Sequence, residues 1–387
     1  MTYRSRFHRR PTAASLTRGR GARKLPRMAR VLEAGKFYAP APGGSERALQ
    51  DAAEAAARDH DVRVLVTSHD GPASLDVVNG IPVHRAAMLA TAWSMPVSTQ
   101  YLRLFSHLAA RADLVHFHHP FPLAELAGWL NGCRGRAVVV SYHAEVVRQR
   151  VVRPAYRFLQ RALFRRADRI VVSSQRMLDR NRDFDGVRPK CVVIPYAVRP
   201  GGSMTSAAEN FVLFVGRLVA YKGLDVLIRA MRDVDADLVV VGDGPQRREL
   251  EAMGGRVRFL GRLSDAAVQA CLARCRLLAL PSVNNTESFG IVQLEAMAHG
   301  KPVVNTDLPT SVPDVSRHDE TGLTVPPGDA PALARAIRTI LTEPDRYERH
   351  SRAARGRAGA FDVARIAERI RALYREVLAQ STSPVPL

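Results

Sequence analysis

Two glutamates, Glu287 and Glu295, and two cations, Arg217 and Lys222, are the residues of this 387-residue chain whose types and spacing best suit ligand chemistry. The stretch Pro281-Ser-Val-Asn-Asn-Thr-Glu287-Ser-Phe289-Gly290-Ile-Val-Gln-Leu-Glu295 reads as a strand end, a polar loop and a helix that starts near Gly290. A helix start leaves backbone N–H groups and a positive dipole end open to an anion such as phosphate. Glu295 then lies about a turn and a half into the helix, so the two carboxylates can hold opposite ends of one ligand. Carboxylates accept paired hydroxyls well, as the ribose-binding acid of dinucleotide folds does. The plain alternative is an ordinary helix with one acid near its start and another on its solvated face. Upstream, Val215-Gly216-Arg217-Leu218-Val-Ala-Tyr-Lys222-Gly223 also follows a strand and opens a helix. Two cations there form a clamp for a diphosphate, doing for a leaving group what a metal would otherwise do. Taken alone it would be a solvated basic loop; beside the glutamate pair it reads as half of one site.

Other polar clusters are less specific. Gly43 and Gly44, between a first strand and a first helix, let backbone approach a ligand closely, or simply make a turn. Gly242-Asp243-Gly244-Pro245 reads chiefly as a tight turn. His116, His118 and His119 end one strand and His143 ends the next. Zinc needs three or four converging ligands, and Phe117 and Phe121 beside these histidines look like core, so no metal is expected. Asp233-x-Asp235-x-Asp237 precedes a strand and reads as a solvated acidic loop away from any cleft. Asn181-x-Asp183-x-Asp185-Gly186 imitates the start of a calcium loop, but Val192 stands where its last acid should be.

The elements that must position these residues alternate. Continuous β-branched runs are expected as strands at 30–32, 62–66, 113–118, 137–141, 170–173 and 192–194, then at 211–215, 238–241, 257–260, 277–280 and 302–305, with helices between. Such runs fit parallel strands buried on both faces, and the pattern occurs twice. A Pro/Gly/Ser-rich stretch separates the halves, giving domains at 28–199 and 211–355, a linker at 200–210 and a C-terminal helix at 356–387, with helix breaks near Pro344 and Gly356–Gly359. Ligands in doubly wound sheets collect at the carboxyl ends of the strands, so two such domains make one cleft suited to a two-substrate transfer.

Composition narrows the function. The formal charge is +20, but residues 1–30 hold ten Lys/Arg and no acid, residues 144–190 hold thirteen against five, and the remainder holds 34 against 32. A nearly neutral body disfavours a general nucleic-acid surface. Four scattered cysteines make no disulfide framework and suggest a reducing compartment, and no run reaches the ~18–20 apolar residues of a membrane span. Residues 1–27 read as a disordered basic tail: an arm for an anionic surface, a transit peptide, or residues upstream of a true start at Met28. From Pro154, Arg157, Arg161 and Arg165 recur at i+4 opposite Tyr156, Leu159 and Leu163. This amphipathic helix presents either a plain solvated face or a docking stripe for anionic lipid, at about 1 kcal/mol per basic residue.

The Glu-x7-Glu stretch, with Glu287-Ser-Phe-Gly and Leu294-Glu-Ala-Met-Ala, resembles glycosyltransferase family four, the retaining GT-B enzymes, over roughly residues 29–345. The resemblance implies an α/β fold: two doubly wound Rossmann-like domains facing a central cleft, with C-terminal helices crossing back. It implies that Glu287 contacts donor sugar hydroxyls, Phe289 and Gly290 offer backbone N–H groups, Glu295 binds ribose, and Arg217 and Lys222 bind diphosphate. Gly43 and Gly44 resemble the loop facing donor phosphate and acceptor, and the Gly-x-Gly-Pro turn at Gly242 lies near the nucleotide in the family. His143 matches the family's active-site histidine, with His118 and Glu145 on the acceptor side; Glu145 departs from the Ser-Asp often found after this histidine. The segments Asn305–Ser316 and Thr321–Gly328 resemble bacterial cell-surface polysaccharide members, except that Ser311 stands where relatives often carry Gly. The implied activity is metal-independent transfer of a mannose-like or glucose-like hexose from a GDP- or UDP-linked sugar to a glycan or polyprenyl-linked acceptor, with no cofactor and no specific nucleic acid. Retention through a front-side displacement assisted by the leaving phosphate is likewise implied, as is a cytoplasmic location, peripheral at the inner face of the membrane. A GT-B sugar-nucleotide epimerase or phosphorylase, or a basic membrane- or nucleic-acid-binding protein, are the other readings.

Overall fold

The computed structural model describes residues 28–41, 43–69, 71–92, 95–131, 133–144, 153–199 and 209–381. Glu145, the 1–27 tail and most of the linker stretch fall outside these residues. The first half runs β1 (Arg30–Ala34), α1 (Gly44–Ala56), β2 (Asp61–Thr67), β3 (Ser74–Val78), β4 (Ile81–Ala86), β5 (Ala90–Ala92), β6 (Met95–Val97), α2 (Thr99–Ala109), β7 (Leu114–His119), α3 (Pro122–Asn131), β8 (Ala137–Tyr142), α4 (Arg153–Arg166), β9 (Arg169–Val172), α5 (Gln175–Arg180) and β10 (Cys191–Val193). The second runs β11 (Phe211–Val215), α6 (Leu224–Met231), β12 (Asp237–Val241), α7 (Arg247–Ala252), β13 (Val257–Gly261), α8 (Asp265–Arg274), β14 (Leu277–Leu280), α9 (Ile291–Ala298), β15 (Val303–Thr306), α10 (Val312–Val315), β16 (Gly322–Val325), α11 (Ala330–Thr342), α12 (Pro344–Ala358) and α13 (Val363–Ser381).

Two sheets result, one of eight strands in the order β10-β9-β8-β7-β1-β2-β4-β3 and one of six in the order β13-β12-β11-β14-β15-β16. Every pairing in them is parallel except β3 on β4. Helices cover both faces, which is why β7, β8, β14 and β15 are buried along their whole lengths. Each fully buried Val or Leu there contributes about 1.5–3 kcal/mol. Chain direction across the sheet reverses between β1 and β7 in the first half and between β11 and β14 in the second. Those two switch points open crevices at the strands' carboxyl ends, and the crevices face each other. The last helix, α13, returns to the first half, where Arg371 grips Asp59 through two bonds of 2.7 and 2.8 Å and Tyr374 enters the core.

The sequence expectation for the fold is met, with local corrections. It omitted β3 and β4, a hairpin turned at Asn79-Gly80, where both residues take positive φ (51° and 81°) as a two-residue turn requires. It also omitted the short β5–β6 pair and the edge strand β16. The helix break expected near Gly356–Gly359 falls at the end of that range: α12 continues through Gly356, and the break comes at Gly359–Phe361. A Cβ at Gly356 would meet nothing within 4 Å, so this glycine costs the helix only about 1 kcal/mol of propensity. Asp235 and Asp237 sit at the amino end of β12, paired with Arg256 at 2.7 and 2.9 Å, far from the crevice as the sequence suggested.

Candidate active site

Each candidate residue of the second domain lies on a loop leaving the carboxyl end of a strand, except Glu295, which lies in the helix that such a loop opens. After β11, the loop from Gly216 ends in a short 3-10 turn at Ala220–Lys222, and Gly223 closes it in the left-handed region at φ 65°. A Cβ on Gly223 would fall 2.2 Å from the Pro281 carbonyl oxygen, so the loop after β11 packs directly on the loop after β14. A backbone bond from Val283 to Tyr221 (2.8 Å) joins the same two loops. The Gly242-Asp243-Gly244 turn after β12 supports them from the other side, since Cβ atoms at Gly242 and Gly244 would strike the carbonyl oxygens of Gly216 and Leu218. These glycines hold the Arg217 loop by backbone contact.

This packing places Lys222 Nζ 2.5 Å from Glu287 Oε2, with Ser282 Oγ donating to the same oxygen at 3.1 Å. Burial alone would lower the Lys222 ammonium, but the carboxylate of Glu287, with Tyr221 beside it, outweighs that and holds it above the ordinary lysine range. The Arg217 side chain is exposed and has no hydrogen-bond or ion-pair partner among the described residues. Gly290, in the left-handed region at φ 71°, opens α9, and Glu295 lies on that helix's fifth residue. Burial pushes the Glu295 carboxyl above its usual range; Arg47 of α1 draws it partly back and Asp265 adds to the rise.

The first domain meets this surface directly. A Cβ on Gly44 would lie 3.2 Å from Ile291 Cδ1, so the Gly43–Gly44 loop abuts the start of α9. Lys36, on the same loop, is near enough to Arg217 that the guanidinium helps lower its ammonium, after burial and against Glu46. Ser173 and Ser311 share a buried bond of 2.8 Å across the domains, and Arg176 reaches Asp307 at 2.6 Å and the Leu308 carbonyl at 3.0 Å. Ser311, the departure from the family's Gly, is thus an interdomain contact. His143 is buried, with Nδ1 2.6 Å from the Tyr196 hydroxyl and Nε2 2.9 Å from His118 Nδ1. The ring of Tyr196 in turn meets Phe289 edge-on at 4.7 Å.

Arg217, Lys222, Glu287, Phe289, Gly290 and Glu295 therefore share one wall, facing Gly43, Gly44 and, through Tyr196, His143. His118 stands behind His143 with both ring nitrogens occupied, so it reaches the cleft only through its neighbour. Glu145 is outside the described residues. Sequence reasoning did not single out Lys36, Arg47 or Tyr196; a lysine two positions past the end of β1 was the one available signal, while Tyr196 follows the edge strand β10 with no motif of its own.

Two facing doubly wound domains with a cation pair and a carboxylate pair at their switch points define a GT-B glycosyltransferase. The family model for Glycosyl transferases group 1 matches residues 204–357, and that for the Glycosyl transferase 4-like domain matches residues 43–197. A D-rhamnosyltransferase of Pseudomonas aeruginosa is 33% identical over 77% of this chain and 82% of its own length. The O-antigen chain mannosyltransferase C of Escherichia coli is 28% identical over 68% and 75%, and a phosphatidyl-myo-inositol mannosyltransferase of Mycobacterium leprae is 30% identical over 89% and 96%. Among solved structures, a sucrose-phosphate synthase from Thermosynechococcus elongatus superposes with a TM-score of 0.77 at 23% identity, covering 91% of this chain and all of that one. An Anabaena protein in complex with UDP-glucose gives 0.70 at 22%, covering 90% of this chain and all of that one. The chain belongs to the glycosyltransferase family of these group 1 and 4-like domains.

Proposed function

We propose that the protein is a retaining, metal-independent hexosyltransferase that moves a mannose-like or glucose-like sugar from a GDP- or UDP-linked donor to a glycan or lipid-linked acceptor in cell-surface polysaccharide or glycolipid synthesis. The observation that carries this reading is the Lys222–Glu287 pair beside an unpaired Arg217 at the mouth of α9. Arg217 and Lys222 take the diphosphate, with Lys36 adding positive charge from the opposite wall. The N–H groups at Phe289 and Gly290 and the α9 dipole add to that field. Glu287 then accepts hydroxyls of the sugar, and Glu295 those of the ribose. In the reaction, the bond from the anomeric carbon to the diphosphate oxygen breaks while the acceptor oxygen bonds to the same face. The acceptor's proton passes to the departing phosphate, whose charge the cations absorb. Relatives named as mannosyl- and rhamnosyltransferases favour a hexose of that kind.

The test is a thermal-shift screen of the chain from Met28 with GDP-mannose, UDP-glucose, UDP-N-acetylglucosamine and free nucleotides, with and without EDTA, repeated on Glu295→Ala. One nucleotide family should raise the midpoint by several degrees regardless of EDTA, and the shift should be lost in the variant. Stabilisation that requires a divalent metal, or that survives Glu295→Ala unchanged, overturns the site.

A lipid-linked acceptor fits the outer face of the first domain. Arg157, Arg161 and Arg165 are all exposed on α4, while Tyr156, Leu163 and Phe164 on its other side are buried. Beside the stripe, Trp129, Leu130 and Phe158 are 51%, 62% and 59% exposed, and the Trp129 and Phe158 rings meet at 6.1 Å. Exposed aromatics among arginines suit the interface of an anionic bilayer. No helix among the described residues is long and apolar enough to cross a membrane. Sedimentation with phosphatidylglycerol vesicles should carry the protein down and phosphatidylcholine vesicles should not; replacing the three arginines by Glu should abolish the difference, and equal binding by both lipids would sink the idea.

A further inference from the structure

Behind His143 the first domain holds a buried chain of polar groups that no step of the proposed transfer uses. Glu33 on β1 is fully buried, and both its oxygens are filled: Tyr374 of α13 donates to Oε1 at 2.6 Å, while His118 Nε2 and His116 Nδ1 lie 2.9 and 3.0 Å from Oε2. His116 Nε2 meets Ser141 Oγ at 2.8 Å. Burial alone would raise the Glu33 carboxyl, yet His116 and His118 outweigh it and bring it down to about 2, so the group is a carboxylate that can only accept. Burial, with His116 adding to it, lowers His118 to about 4 against the pull of Glu33, and burial with the neighbouring imidazoles His118, His116 and His119 lowers His143 well below its ordinary value. Both shifts favour the neutral ring, which carries one N–H.

Directions then follow from the Glu33 end. His118 must place its hydrogen on Nε2 to donate to Glu33, leaving Nδ1 bare to accept from His143 Nε2–H at 2.9 Å. His143 Nδ1 is bare in turn and accepts the Tyr196 hydroxyl at 2.6 Å. Ser288, on the loop between Glu287 and Phe289, lies near the Tyr196 phenol, while Glu46 and Glu287 face it from α1 and from the donor loop. From Tyr196 through His143 to His118, every donor points toward Glu33.

We propose that Glu33 and His118 are positioning residues: they lock His143 as the Nε2–H tautomer, so that Nδ1 faces the cleft as an obligate acceptor of a hydroxyl hydrogen. In this conformation the hydroxyl is that of Tyr196; in the working complex it is one of the transferred sugar. This inference rests on the sugar-transfer reading. Glu33, His116 and His118 also bring one ligand atom each within 4.8 Å of one another, but those atoms are joined to each other, to Tyr374 and to Ser141 at hydrogen-bond distances.

The test labels the histidines of the full chain with nitrogen-15 and reads tautomers by long-range proton–nitrogen correlation. His118 and His143 should both show neutral Nε2–H rings from about pH 8 to 5.5, where an ordinary histidine would charge. Glu33→Gln, whose amide can donate, should flip or mix the His143 tautomer and lower kcat about tenfold or more with the donor KM little changed. Tyr374→Phe keeps the Glu33 charge and should leave the tautomer intact with kcat within about threefold, even if stability falls. A charged or Nδ1–H His143 in the native protein, or Glu33→Gln with normal kcat, overturns the proposal. So does one equivalent of divalent metal that leaves with Glu33→Gln. Should no sugar nucleotide support transfer, the sugar-transfer reading fails while the native tautomers still decide the relay.

Discussion

Lys222→Met will leave a folded chain whose kcat falls by about a thousandfold, the upper end of what one preorganised charge on a leaving group contributes. Two effects are mixed in that variant and a second variant separates them. Lys222 and Glu287 side chains are 14% and 9% exposed, so removing the cation strands a carboxylate that keeps only the Ser282 hydroxyl. Breaking a largely buried pair by removing one partner costs up to about 3–5 kcal/mol. Lys222→Met will therefore also lower the melting temperature. Adding Glu287→Gln removes the stranded charge, and the double variant should regain most of the lost stability while its kcat stays down. Single-turnover kinetics with denaturation curves for the three proteins check this. If the double variant recovers activity along with stability, Lys222 serves only to neutralise Glu287, and the diphosphate clamp must be sought elsewhere.

The second domain's site was legible because each of its parts lies within a contiguous run. Arg217 and Lys222 are tied by one loop, and Glu287 and Glu295 by one loop and one helix, so strand–loop–helix spacing alone brings them near each other. What spacing could not supply was the join between the runs, which depends on Gly223 lying against Pro281 and Gly242 against Gly216. The first domain's interior was not legible. Tyr374 and Glu33 are 341 residues apart, and Glu33 lies in its strand between the buried apolar Leu32 and Ala34. A lone acid in such a run carries no partner information until sheet order sets β1 beside β7 and α13 folds back. The missed hairpin has a different cause. β3 is an edge strand with a mostly exposed pattern, so it lacks the doubly buried run that marked the others. Ser311 was visible as a departure from the family, but its bond to Ser173 is a property of two domains meeting.

That meeting makes Gly290 the position where the smallest change should do most harm. It adopts φ 71°, which costs a non-glycine residue roughly 1–2 kcal/mol. An added methyl would also fall 2.5 Å from Leu280 Cδ2 and 2.8 Å from Gln293 Nε2. Neither neighbour is free to yield. Leu280 is fully buried, and Gln293 donates to the Phe289 carbonyl at 2.9 Å while accepting from Asn305 at 2.8 Å. Asn305 in turn donates to the carbonyls of Val312 and Ser316, which flank the α10 turn behind Ser311. Pushing Gln293 aside releases Phe289, and with it the loop bearing Glu287 and the first N–H groups of α9. Gly290→Ala should therefore lower kcat/KM by about a hundredfold or more, since a reacting geometry displaced by about 1 Å costs that much. It should also abolish nucleotide-dependent stabilisation, with the melting temperature falling only about 5–10 °C for a local loss of a few kcal/mol. Calorimetric titration with the nucleotide chosen by the thermal screen decides it. Unchanged affinity and turnover in Gly290→Ala would mean that the start of α9 does not hold the donor, and the anion site would have to move to the Arg217 loop alone.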